Sequence, residues 1–178
     1  ASRWSEDGLL TGSGIATTVM SNLGLERFLK QRGISMERTQ VGDRYVVEHM
    51  RKSGLNLGGE QSGHIIMSDF STTGDGLIAG LQFLAEIIRS DSNSKDLARI
   101  FEPVPQLLKN ASYKTGSDPL SKPNVVKAIK AAELNLEGNG RLLIRKSGTE
   151  PLIRVMAESE DEDKMVKAVD SVVAEITA

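Results

Sequence analysis

The residues best suited to chemistry fall in two short stretches. One is Arg145-Lys146-Ser147-Gly148-Thr149-Glu150-Pro151-Leu152-Ile153-Arg154, which sets three cations against one carboxylate. Guanidinium forks match phosphate oxygens two at a time. Gly148 permits a positive φ, which lets successive N–H groups face one concavity, and the hydroxyls of Ser147 and Thr149 add donors. The stretch reads as a phosphate cradle without Walker spacing; strand-end charges on an ordinary hairpin are the competing reading. The other stretch is Gly58-Gly59-Glu60-Gln61-Ser62-Gly63-His64. If it stays extended, Glu60, Ser62 and His64 project from one face. A carboxylate accepting from two vicinal hydroxyls holds a sugar, and the imidazole donates to a phosphate or shuttles a proton near neutral pH. A glycine-rich bulge with a solvated polar face accounts for the same residues equally well.

Two further segments carry weaker signals. Thr72-Thr73-Gly74-Asp75-Gly76 is a glycine-rich helix entry of the kind that binds anions, but Asp75 competes for the same N–H groups, so a capped helix start is the better reading. Val41-Gly42-Asp43-Arg44 is a strand-to-helix turn. In an open parallel sheet such turns lie at the carboxyl edge, where ligands bind, and this brings Gly42 and Asp43 into the candidate site. Met20-Ser21-Asn22 faces the same edge. His49 sits mid-helix in a charged stretch and reads as solvated, with no role.

Composition narrows the chemistry. The chain has 178 residues, 39% of them hydrophobic, with 22 Lys+Arg against 24 Asp+Glu. That balance gives no electrostatic reason to expect nucleic acid or an anionic membrane. Cysteine is absent, which excludes disulfides, Fe–S clusters and a thiol nucleophile and is compatible with a reducing compartment. No apolar run approaches the roughly 20 residues that span a bilayer. Aromatic residues are too sparse for a base-stacking platform. The opening Ser2–Gly8, with no Met, reads as the last turns of a helix with Gly8 at C′, so the chain is expected to be cut from something longer.

The elements that must position these residues follow two grammars. From Gly14 to about Asn93, β-prone and helical runs alternate. Strands are expected over Ile15–Met20, Ser35–Val41 and one long extended run from Asn56 to Met67. A helix capped by Ser21-Asn22 carries Leu25, Phe28 and Leu29; a second, from Asp43 to Gly54, carries Val46, Val47 and Met50. A longer helix has a capping box at Thr72 and Asp75 and an apolar stripe of Leu77, Leu81, Leu84 and Ile88. A short helix is expected over Asp96–Phe101. Pro103 and Pro105 mark a junction. Beyond it come a strand (Gln106–Tyr113), a helix (Lys122–Leu134), two strands close enough for a hairpin (Arg141–Lys146 and Leu152–Glu158) and a last helix (Glu160–Ile176). That helix has a capping box at Ser159 and Glu162 and a stripe of Met165, Val169, Val172 and Ile176. The expected architecture is an α/β domain over 1–103, with a mainly parallel sheet and helices on both faces. A smaller α+β domain over 104–178 follows, with an antiparallel sheet packed by helices.

Taken together and in order, Gly59-Glu60-Gln61-Ser62-Gly63-His64, Thr72-Thr73-Gly74-Asp75-Gly76 and Arg145-Lys146-Ser147-Gly148-Thr149-Glu150-Pro151 with Arg154 resemble the α-D-phosphohexomutase superfamily. The resemblance covers essentially the whole chain. Within the superfamily, Ala16–Asn22, Val41–Val46 and Arg154–Met156 are most similar to the bacterial members acting on glucosamine phosphates. It implies the third and fourth of four domains: a sugar-binding domain at 1–103 and a phosphate-binding domain at 104–178. It also implies that Glu60 and Ser62 bind sugar hydroxyls and that His64 stands near the reacting phosphate as the candidate catalytic group. Gly42 and Asp43 would line the same cleft. Arg145, Ser147, Gly148, Thr149 and Arg154 would grip the non-reacting phosphate of a hexosamine phosphate.

The superfamily's phosphoserine loop and its Asp-Gly-Asp-x-Asp-Arg loop, which binds Mg²⁺, have no counterpart in this sequence. The implied Mg²⁺ ligands and nucleophile therefore belong to N-terminal domains of the same enzyme, the implied partners of this chain. A bisphosphorylated sugar is the implied intermediate and activator, and neither nucleic acid nor membrane is implied. The whole enzyme is expected to be cytoplasmic and to interconvert glucosamine 6-phosphate and glucosamine 1-phosphate; this chain alone is expected to be inactive. A phosphomannomutase or phosphoglucomutase of the same superfamily, and a stand-alone sugar-phosphate-binding module that is not an enzyme, are the alternatives.

Overall fold

Gly14–Thr18 forms β1, and all five of its residues are buried. The computed structural model, which describes residues 1–148 and 150–178, accounts for that burial by layers on both sides. β1 lies between β2 (Ser35–Thr39) and β3 (Leu57–Gly59), parallel to each. β4 (Ile65–Met67) pairs antiparallel with β3, giving the order β2-β1-β3-β4. Side chains alternate across a strand. Ile15 and Leu57 therefore go to one side, against Phe28 and Leu29, while Ala16 and Ile66 go to the other, against Val46 and Met50. The first side is covered by a helix at Leu23–Gln31, the second by one at Asp43–Ser53. With the short helix α1 (Ser2–Glu6) before them, these are α2 and α3. Asn22 caps α2 by accepting from the Gly24 amide at 2.8 Å. α3 approaches the sheet closely at Gly58, where a Cβ would meet Met50 Sδ at 2.6 Å and Val46 Cγ1 at 2.7 Å.

The structure departs from the sequence expectations at four places in this unit, Ala1–Pro103. β1 and β2 end at Thr18 and Thr39, short of Met20 and Val41. Asn56–Met67 is not one strand. The chain turns back between β3 and β4, where the Gly63 amide donates to Glu60 O at 3.0 Å and the Glu60 amide to His64 O at 2.9 Å. Gly63 has φ 97°, which lets the turn close where a side chain would be strained. The third departure is α4 (Gly76–Ser90), which Asp75 alone caps, accepting from the Leu77 and Ile78 amides at 2.9 and 3.0 Å. Its stripe points outward: Leu77, Leu81, Leu84 and Ile88 are 75%, 55%, 55% and 82% exposed. The opposite side of α4 meets α1, where Arg3 Nε donates to Glu86 at 3.0 Å. Periodicity shows which residues share a face but not which way the face points. A short helix, α5 (Ser94–Ala98), starts earlier than expected because Asn93 caps it.

The second unit, Val104–Ala178, is a three-stranded antiparallel sheet under two helices. β5 (Gln106–Ser112) and β6 (Gly140–Lys146) flank β7 (Leu152–Ser159) in the order β5-β7-β6. Ile153, Val155 and Ala157 of β7 turn to one face. There they meet Val125, Ala132 and Leu136 of α6 (Pro123–Leu136) and Met165, Val169, Val172 and Ile176 of α7 (Glu162–Thr177). The stripe of the last helix is thus buried as its spacing predicts. Its cap is Asp161, which accepts from the Lys164 amide at 3.0 Å; the Ser159 hydroxyl instead accepts from the Asp161 amide at 3.1 Å, so Ser159 is not the N-cap. Both expected fold classes, α/β and then α+β, are present.

Candidate functional site

The hairpin of β6 and β7 sets Arg145 directly opposite Arg154. Ile153 and Val155 face the helices, so the two guanidinium groups lie on the other face of the sheet. Like charges directly opposite on neighbouring strands are destabilising. Among the described residues neither guanidinium has a carboxylate or hydrogen-bond partner, and the Nε of each is buried and unpaired. Burial, and then the charge of Arg154, hold the Arg145 pKa below the ordinary arginine value. Lys146, the third cation, is already taken: its Nζ donates to Asp118 at 2.8 Å, which raises its pKa.

The connecting loop is closed by the Ser147 amide, donating to Leu152 O at 2.8 Å, and by the Leu152 amide, donating to Glu150 O at 2.8 Å. Gly148 is exposed and does not have the positive φ expected of it, and a Cβ there would meet nothing within 4 Å. A nest built on a left-handed Gly148 is therefore not what the backbone forms. Thr149 lies outside the described residues.

In the first unit, Glu60, Ser62 and His64 come together by the turn between β3 and β4 and not by alternation along a strand. Ser62 Oγ is 3.3 Å from a Glu60 carboxylate oxygen and 3.0 Å from His64 Nδ1. Glu60 is half-buried; Ser62 and His64 are exposed. The turn borders an open cleft of about 560 Å³, with Thr17, Ser21, Asn22 and Glu60 around an apolar floor that includes Ile15 and Leu57. The sheet order puts the carboxyl ends of β2, β1 and β3 side by side, so Gly42-Asp43, Ser21-Asn22 and Glu60 follow one another along one edge. Asp43 accepts from the Arg44 amide at 2.7 Å, and no described bond joins it to the Glu60–His64 turn. Asp75 occupies the N–H groups at the start of α4, which leaves Thr72–Gly76 as a capped helix entry.

Two side chains escaped the sequence reading. Arg38, in β2, donates to Ser21 O at 3.1 Å and pairs with Glu26 at 2.8 Å, fixing the turn between β1 and α2. Its signal was an arginine inside a strand, where the side chain needs a partner. His49 is not merely solvated: Nε2 pairs with Glu37, and Ser53 Oγ lies 3.3 Å from both. Among the described residues no group of three His, Asp or Glu side chains converges to hold a metal ion. No helix among them is long and apolar enough to cross a membrane.

Comparison with known proteins agrees with the fold. Residues 1–106 match the model for phosphoglucomutase/phosphomannomutase, alpha/beta/alpha domain III, and residues 95–176 match that for the phosphoglucomutase/phosphomannomutase C-terminal domain. A phosphoglucosamine mutase of Ruegeria sp. (strain TM1040) is 65% identical over 178 residues, and one of Paracoccus denitrificans is 61% identical over 176. These matches cover 100% and 99% of this chain but 40% and 39% of the relatives, so the chain spans about two fifths of their length. Among solved structures, Aspergillus fumigatus N-acetylphosphoglucosamine mutase has a TM-score of 0.78 at 15% identity, over 99% of this chain and 40% of that one. A complex of the same fungal enzyme with GlcNAc-6P and magnesium has a TM-score of 0.73 at 17% identity, over 93% and 41%. At such identities the likeness is one of fold.

Proposed function

The chain belongs to the phosphoglucomutase/phosphomannomutase family, and from that premise we propose that it is the substrate-gripping part of a phosphoglucosamine mutase. The whole enzyme interconverts glucosamine 6-phosphate and glucosamine 1-phosphate through a bisphosphorylated sugar. Glu60 and Ser62, in 1–103, hold sugar hydroxyls. His64 stands near the reacting phosphate, and Gly42 and Asp43 line the approach. Arg145, Ser147, Gly148, Thr149 and Arg154, in 104–178, grip the phosphate at the far end of the sugar. Phosphoryl transfer needs positioning and charge neutralisation more than covalent help from the protein. Gripping the non-reacting end spends binding energy on orientation, so that either end of the sugar can be presented to one phosphoryl donor. The donor and the metal ligands come from outside these residues. Identity of 65% to a phosphoglucosamine mutase over the whole chain supports the glucosamine preference.

The observation that carries the reading is the pair Arg145 and Arg154, held in register with no counter-charge among the described residues. A dianionic phosphate completes it. The test is a titration of this chain with glucosamine 6-phosphate followed by backbone amide NMR. Shifts centred on Arg145–Leu152, at about millimolar affinity, and their loss in Arg154→Ala are expected. Shifts centred on Thr72–Gly76, or unaffected by Arg154→Ala, would overturn it.

A further inference from the structure

The row that holds the two arginines continues onto the third strand. β5 pairs with the other side of β7 in a register that sets Asn110 opposite Arg154, just as β6 sets Arg145 opposite it. Leu107 and Ala111 pack on the helix side of β5, so Asn110 shares the open face with both guanidinium groups. Directly opposed Cβ atoms on neighbouring strands are about 5 Å apart, within reach of one small anion for side chains of these lengths. Asn110 is exposed, and its carboxamide has no hydrogen-bond partner among the described residues. The neighbours on this face are different. Leu108, Met156 and Leu143 form the next row along it, and Gln106, Glu158 and Arg141 the one after. Gln106 is a second exposed amide on this face, two rows away; Asn110 is the one in register with the two arginines, on a strand far in sequence from the loop.

We propose that Asn110 is a third ligand-contacting side chain of the anion site, donating an Nδ2–H to a phosphate oxygen beside the forks of Arg145 and Arg154. The inference rests on the phosphate reading of the two arginines. A neutral carboxamide suits the position: it adds a donor without a third positive charge to a row that already repels itself, and it cannot neutralise the arginines as a carboxylate would.

The experiment titrates this chain with inorganic phosphate and follows both backbone amides and the Asn110 side-chain NH₂ resonance. In the unsubstituted chain that resonance should move with the same affinity as the Ser147 and Gly148 amides. Asn110→Ala should weaken binding about fivefold. Asn110→Asp should weaken it further, since its carboxylate both pairs with an arginine and repels the anion. Arg154→Ala serves as the control for the site itself and should cost about tenfold or more. Loss of binding in Arg154→Ala, with Asn110→Ala within twofold of the parent and an unmoved NH₂ resonance, overturns the role of Asn110 and leaves the arginine site standing. Binding that Arg154→Ala does not change overturns the site, and this inference with it.

Discussion

β6 and β7 carry two charged cross-strand pairs on the same face of one sheet, and the pairs have opposite fates. Arg141 stands opposite Glu158, whose carboxylate is fully buried and accepts from Arg141 Nε at 2.5 Å. Arg145 stands opposite Arg154, and no described group neutralises either. The strands, the face and the residue type on β6 are shared; one carboxylate is the difference. Closing the first pair makes it part of the unit's framework. Leaving the second open makes it a cost in the free protein, which in the proposed function a bound anion recovers. Charge held against charge with nothing between them supports the proposed ligand position more than the composition of the loop does.

The comparison breaks hardest at Arg141. Arg141→Met removes one partner of a buried pair and should cost about 3 kcal/mol of stability, read from chemical denaturation. A loss no greater than that of an ordinary surface substitution would mean that Glu158 is satisfied without Arg141. Next in size is the effect of ligand. Phosphate at about ten times its dissociation constant should stabilise the chain by about 1.4 kcal/mol. Arg154→Met should show no such gain. The same substitution should sharpen the contrast in the free protein: by removing a like-charge pair and a buried unpaired Nε, it should leave stability unchanged or raise it by about 0.5 kcal/mol. A clear loss of stability would make the arginine pair structural. The smallest effect belongs to Gly148→Ala. Because Gly148 has no left-handed φ and a Cβ there meets open space, both stability and phosphate affinity should stay within error.

Much of this was legible in sequence where the interaction is local. The short link between Lys146 and Leu152 dictates a hairpin; the register that sets Arg145 opposite Arg154 comes from the structure. The α7 stripe was legible because a helix at the end of a small sheet has one face on which to bury it. What stayed hidden depended on distant residues. Lys146 counts as one of three cations in its stretch, and spacing alone does not show that Asp118, distant in sequence, takes it. The α4 stripe has the period of a buried face yet points away from the fold, because α1 takes the opposite side. Period-2 spacing of Glu60, Ser62 and His64 suggested one strand; the same three residues meet across a turn, since Gly63 lets the backbone reverse.

Ser62 owns a single hydrogen and stands between two groups able to receive it. Aimed at Glu60, the hydroxyl leaves a lone pair for an N–H at His64 Nδ1, and Nε2 is then the bare nitrogen. Aimed at His64, the same hydrogen occupies Nδ1, and Nε2 must carry the ring's own. In a neutral ring the tautomer of the imidazole is thereby coupled to the carboxylate four residues earlier. In a neutral imidazole, a ligand that took the Glu60 carboxylate would leave the hydroxyl free to donate to Nδ1, and Nε2 would then carry the N–H.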